Sequence, residues 1–170
     1  MTQLVPPHGC EQLCPLLVHE DERAEQTTYA RTLKQFPISS REAGDLVMMG
    51  IGGFTPLEGF MGHDDWRSVC QEMSVAGGSF WPIPITLSTD SERASAIAIG
   101  EEVCLLDPNF QNPLAIMRIT EKYSIDKTHE CQTVFATTDQ EHPGVQMVME
   151  QGEVNLAGPV RVISCRPGAG

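Results

Sequence analysis

The chain has 170 residues, enough for one domain burying roughly 70% of the surface its unfolded form exposes. Apolar residues make up 41% and charged residues 20%, a globular balance that excludes intrinsic disorder. With 23 acidic against 11 basic side chains the formal charge is −12, which repels a phosphate backbone and argues against a nucleic-acid module.

Residues 1–9 have no basic leader and no long apolar run, and no stretch approaches 18 apolar residues. Cytoplasm, with no membrane partner, is the default expectation. Leu4 and Val5 suggest a first strand. Residues 21–36 place Tyr29, Leu33 and Phe36 among charged neighbours at helical spacing, which predicts an amphipathic helix stopped by Pro37. Ser39-Ser40-Arg41-Glu42 reads as a capping box opening a second helix, with Ala43, Leu46 and Val47 as its inner stripe before Gly50.

Residues 50–62 hold five glycines around Thr55, Pro56 and Glu58. These three fit an N-cap, a first-turn proline and a third-position acid, so Leu57, Phe60 and Met61 would form one buried helical turn. A phosphate cradle is disfavoured because the window has no Lys or Arg and no matching glycine pattern. Trp66, Val69, Cys70 and Met73 stripe a third helix that ends before Gly77-Gly78.

In Trp81-Pro82-Ile83-Pro84-Ile85-Thr86-Leu87 the apolar residues alternate, which predicts a strand whose prolines hold it at an edge or barrel rim. Residues 103–106, the turn Asp107-Pro108-Asn109 and residues 114–119 read as a hairpin apolar on both faces. Helical pieces around Cys131, Val134 and Phe135 and over residues 145–149 follow, then strands at 154–156 and 160–163. Helices gather in the first half and strands in the second. That segregation argues for an α+β fold or a decorated β-barrel.

Candidate chemistry is sparse. His8, Cys10 and Cys14 are the tightest set of metal-ligand types, yet a lone Cys-x-x-x-Cys pair falls short of a zinc signature. His63-Asp64-Asp65 sits where a helix start favours acceptors and negative charge, so capping is the favoured role. His129 and Cys131, two apart on a helix, point in different directions. His142-Pro143-Gly144 reads as a loop whose histidine bonds locally before the next helix. Glu20-Asp21-Glu22 and Glu101-Glu102 read as solvated faces, and no Gly-x-Ser-x-Gly elbow exists. The six cysteines, Cys10, Cys14, Cys70, Cys104, Cys131 and Cys165, are expected to be mostly reduced, half-buried thiols. No catalytic, cofactor-binding or metal-binding residue is assigned.

A series of ordered segments resembles the N-terminal part of bacterial ATP sulfurylase, the sulfate adenylyltransferase family. They are Val5-Pro6-Pro7-His8-Gly9, Ser40-Arg41-Glu42, Gly52-Gly53-Phe54-Thr55-Pro56-Leu57, Gly59-Phe60-Met61 and the Trp81 to Leu87 run. Asp107-Pro108, Pro113-Leu114-Ala115, Val134-Phe135, His142-Pro143-Gly144-Val145 and Gly158-Pro159-Val160 continue the match. The resemblance implies a PUA-like β-barrel decorated with short helices over residues 1–163, and a tail or linker at 164–170.

The family's catalytic signatures, Gln-x-Arg-Asn-Pro running into His-x-x-His and a later Gly-Arg-Asp-His, do not occur in this sequence. Cys10 also stands where the family tends to have a second glycine. The resemblance therefore implies a domain that supports an enzyme making adenosine 5′-phosphosulfate and pyrophosphate from ATP and sulfate, or the reverse, and that is inactive alone. ATP and Mg are implied for the complete enzyme only. The implied partner is the nucleotidyltransferase domain, in cis or in trans, with self-association allowed. The alternative is a free-standing binding or regulatory module of sulfur metabolism. Phe54, Leu57, Phe60 and Trp81 are the expected core or interface residues.

Overall fold

The computed structural model describes residues 5–107, 109 and 112–165. The described residues contain six helices and seven strands, a mixed α+β arrangement, and divide into two compact units. The first runs up to Gly59, then takes in Gly100–Ile119 and everything from Gly158 on; the second comprises Phe60–Ile99 and Thr120–Ala157.

In the first unit, β1 (Lys34–Pro37) pairs in parallel with β4 (Glu102–Leu106), and β4 pairs antiparallel with β5 (Pro113–Arg118). β5 in turn pairs antiparallel with residues 160–162 of β7 (Val154–Val162). The hairpin expected from the sequence is therefore present, and its two runs are almost wholly buried. Its register steps between Leu105 and Leu106. Asp107 holds the tip, its Oδ1 accepting from Asn109 N at 2.8 Å as an Asx turn does. Pro108 lies outside the described residues.

Helices α1 (Arg23–Ala30) and α2 (Ser40–Gly50) both pack on β5. Ala30, Cys104, Leu106, Ile116 and Ile163 form a core cluster with Leu33 against it. The capping box of α2 is formed: Glu42 N donates to Ser39 Oγ and Ser39 N donates to Glu42 Oε2. Ala43, Leu46 and Met49 make its buried stripe, while Val47 is half-buried.

The first expected helix is much shorter than residues 21–36, and Phe36 lies on a strand. Thr27 and Thr28 bond back to the carbonyls of Arg23 and Ala24, and Thr32 to that of Tyr29, which weakens helix continuation. Pro37 biases Phe36 toward extended backbone, and β1 then finds its partner in β4. Val5 belongs to no strand, and Leu4 lies outside the described residues.

The helical turn expected near Leu57 is absent. Residues 51–56 form turns, the Thr55–Pro56 peptide is cis, and β2 (Gly59–Phe60) follows. Thr55 caps no helix: its hydroxyl donates to Gly52 O at 2.7 Å and accepts from Cys14 N at 3.0 Å. The glycines have a packing reason. A Cβ on Gly59 would run into the Gly158 carbonyl oxygen, so only glycine admits this approach of two backbones. Leu57, Phe60 and Met61 are nonetheless buried, and Phe54 is half-buried.

In the second unit, residues 154–157 of β7 lie between β3 (Leu87–Thr89) and β6 (Glu121–Tyr123), both antiparallel to it. The two C-terminal strands expected from the sequence are thus one strand, β7, whose halves pair in different units. The strand expected at Trp81 begins only at Leu87. Pro82 and Pro84 have no N–H for a ladder, and Ile83 is exposed while Trp81, Ile85 and Leu87 are buried.

Four helices complete this unit: α3 (His63–Glu72), α4 (Ser91–Ser95), α5 (Lys127–Val134) and α6 (Pro143–Glu150). Met73, expected on the α3 stripe, instead takes a left-handed C-cap with φ 50° and is exposed. Trp66, Cys70, Tyr123 and Ala157 form one core cluster, and Cys131, Val145 and Val148 form another. Of the second-half elements, the β4–β5 hairpin, α5 and α6 fall where the sequence placed them, while β6 and α4 are additional.

Candidate functional site

A grouping of ionisable and aromatic side chains lies in the second unit, where α3, β6 and α5 meet. Trp66 Nε1 donates to the buried Glu130 Oε2 at 2.6 Å. His63 stacks on Trp66 with ring centroids 5.6 Å apart and meets the Tyr123 ring edge-on at 5.5 Å. His129 approaches Trp66 edge-on at 6.3 Å. Tyr123 Oη donates to Met61 O at 2.7 Å, and burial raises this hydroxyl's pKa.

Glu121 Oε2 accepts from His63 N at 3.2 Å, so β6 caps the start of α3. The expected cap role of His63-Asp64-Asp65 therefore belongs to Gly62 in position and to Glu121 in chemistry. Asp64 pairs with Arg67, and Asp65 accepts from Ala76 N at 2.8 Å; both acids lie in the first turn, where the helix dipole favours them. Glu121 and Glu130 each hold a donor that positions structure, so the cluster organises aromatic packing and offers no nucleophile with a base beside it.

The other sequence candidates scatter. Cys14 N–H is held by Thr55 and its thiol contacts Gln12 O, and among the described residues no three His, Cys, Asp or Glu side chains converge on a metal position. His129 turns to Trp66 while Cys131 is buried against α6, so the two do point apart. His142 caps α6, its Nδ1 accepting from Gly144 N at 3.2 Å. A side chain on Gly144 would strike the Phe135 ring, at 2.7 Å.

All six cysteines are free. Cys70, Cys104 and Cys131 are fully buried rather than half-buried, and burial pushes Cys70 up to about 12 and Cys104 to about 11, which makes both inert as nucleophiles.

The first unit has two polar features that the sequence reading did not single out. Glu102 is the hub of one: it accepts from Tyr29 Oη at 2.8 Å and from Arg161 Nη1 at 3.0 Å, with Arg118 Nη2 at 3.9 Å. Burial pushes its carboxyl up, but the Tyr29 hydroxyl and the Arg161 guanidinium outweigh that and hold it below the usual range. The acidic pair at 101–102 is thus no solvated face: Glu101 pairs with Lys34 at 2.8 Å, and Glu102 ties α1 to three strands.

The second feature is a cleft of about 680 Å³ whose lining includes Leu17, Glu20, Arg23, Thr27 and Arg31. Asn112, Pro113, Ile163, Ser164 and Cys165 complete the lining. The spacing of Arg23, Thr27 and Arg31 was the signal available for it, since residues four apart share a helix face.

The PUA-like domain family matches residues 5–165. Sulfate adenylyltransferase of Chlorobaculum tepidum is 57% identical over 162 residues, covering 95% of this chain and 40% of the relative. Those of Syntrophobacter fumaroxidans and Thiobacillus denitrificans are 57% and 54% identical, each covering 96% of this chain and 40% of the relative. The chain thus spans about two fifths of the length of the curated relatives it matches, and corresponds to their N-terminal part. Among solved structures, a hexameric APS kinase from Thiobacillus denitrificans superposes with a TM-score of 0.70 at 24% identity, covering 96% of this chain and 28% of that one.

Proposed function

The chain belongs to the PUA-like domain family, and from that premise we propose that it is the supporting N-terminal domain of a sulfate adenylyltransferase. The observation that carries this reading is identity above 50% along nearly all of this chain to proteins bearing that name, over only 40% of their length.

In this reading the chemistry, joining ATP and sulfate as adenosine 5′-phosphosulfate with release of pyrophosphate or the reverse, is carried out by the remaining part of such an enzyme. The chain's own contribution is a shaped, rigid partner. Adenylyl transfer between anions needs clustered positive groups around the phosphates and the attacking oxygen. The described arginines and lysines are instead largely paired with carboxylates, as Lys34 with Glu101 and Arg161 with Glu102. Magnesium would assist the same chemistry wherever the phosphates are held. We therefore assign metal and nucleotide to the catalytic domain.

That domain is the proposed partner, in cis or in trans, and self-association is part of the same proposal. We place the protein in the cytoplasm; no helix among the described residues is long and apolar enough to cross a membrane.

The test replaces the corresponding 40% of the Chlorobaculum tepidum enzyme with this chain. A soluble chimera with sulfate-dependent adenylyl transfer is expected. A chimera whose two parts are each folded but which shows no transfer overturns the assignment.

A further inference from the structure

The α1 cleft in the first unit is not used by the supporting role. Arg23, Thr27 and Arg31 stand on one face of α1 and its C-cap, so two guanidinium groups flank a threonine along a single wall. Arg23 and Arg31 enter no ion pair among the described residues, although other arginines in this acidic chain do. The Arg23 Nε is buried with no hydrogen-bond partner among the described residues, an unmet donor of the kind that folded proteins seldom leave. Its charge reaches the Cys165 thiol, also in the cleft lining, and counters the burial that pushes that thiol up.

Thr27 Oγ1 already donates to Arg23 O at 2.7 Å, so the donors facing the cleft from this wall are the two guanidinium groups. Leu17, half-buried, supplies apolar surface beside them, with the buried Pro113 and Ile163 at the edge of the lining. The volume of about 680 Å³ falls in the range of small-molecule sites and exceeds what one oxyanion fills.

We propose that this cleft binds a small organic anion, with a phosphate-type head between Arg23 and Arg31 and an apolar body against Leu17, Pro113 and Ile163. Guanidinium groups suit such a head because their planar donors match two oxygens at once. Glu20, exposed on the same rim, works against any anion and limits affinity. The inference is independent of where adenylyl transfer occurs.

Calorimetric titration of the 170-residue chain at fixed ionic strength tests it, with phenyl phosphate, inorganic phosphate and phenol as probes. Phenyl phosphate is expected to saturate one site with a Kd on the order of 1 mM. Inorganic phosphate should bind roughly tenfold more weakly, for want of the apolar contact, and phenol should not saturate. Arg31 is exposed, so Arg31→Gln is expected to retain the parent circular dichroism spectrum and to weaken phenyl phosphate roughly tenfold, as is Arg23→Gln.

No saturation by phenyl phosphate up to about 20 mM overturns the site. So does unchanged binding in both variants. Equal affinity for phenyl phosphate and inorganic phosphate overturns the organic half of the assignment, and saturation by phenol overturns the anionic half.

Discussion

The β4–β5 hairpin of the first unit and the α3–β6–α5 cluster of the second bury their side chains by opposite means. In the hairpin, Val103, Cys104, Leu105, Ala115, Ile116 and Met117 are at most 1% exposed, and charge appears only at its two ends, with Asp107 at the tip and Glu102 at the other, where it meets Arg118 and Arg161. In the cluster a carboxylate lies within the packing: Glu130 is 3% exposed and holds the Trp66 indole. The first arrangement depends on volume. The second depends on every donor meeting an acceptor, because a buried polar group left unpaired costs more than its bond contributes.

The sharpest way to break the comparison is Ile116→Ala. Truncating a side chain 1% exposed in the α1–sheet cluster should cost about 4 kcal/mol in chemical denaturation, since a rigid core cannot close the cavity. A loss under about 1 kcal/mol would mean that the hairpin is loosely packed.

Asp45 offers a test of sign. Burial raises its carboxyl from 3.8 to about 6, partly offset by Arg41, which lies 3.5 Å away, and reinforced by Glu42. In that window the folded chain keeps a proton that the unfolded chain has released, so stability is complete below the lower value and falls as pH rises through the upper. The whole shift converts to about 3 kcal/mol, and screening reduces this to about 2. Asp45→Asn should therefore be more stable than the parent at neutral pH, with the difference vanishing below about pH 4 in thermal melts. A variant less stable than the parent at pH 7 would show that the Arg41 pair outweighs desolvation.

Trp66→Phe keeps an aromatic ring and deletes the donor to Glu130. A loss of about 1–2 kcal/mol is expected, with Trp81 then the only remaining indole signal. An unchanged melt would place the cluster with the hairpin, as packing alone. Arg161→Ala should have the smallest effect, below about 1 kcal/mol and erased in concentrated salt, because its side chain is 47% exposed.

The sequence revealed what is local. The α2 capping box, the β4–β5 hairpin and the His142 cap each rest on residues within a few positions of one another, and each formed as expected. The long first helix, the Leu57 turn and the early start of β3 were misread because pairing partners far along the chain overrode local spacing: Phe36 met Leu105, and Gly59 met Gly158. The polar groupings were the least legible. Trp66 and Glu130 are 64 positions apart, and Tyr29 and Glu102 are 73 apart, so no motif could join them. The family, in contrast, was legible from ordered short segments, because it is written in the whole chain rather than in one site.

Sulfate-dependent exchange of labelled pyrophosphate into ATP, measured on the purified 170-residue chain with magnesium present, addresses the supporting role most directly. Background exchange is expected from the chain alone, rising only when the remaining part of a sulfate adenylyltransferase is supplied. Robust exchange by the chain by itself would contradict the account.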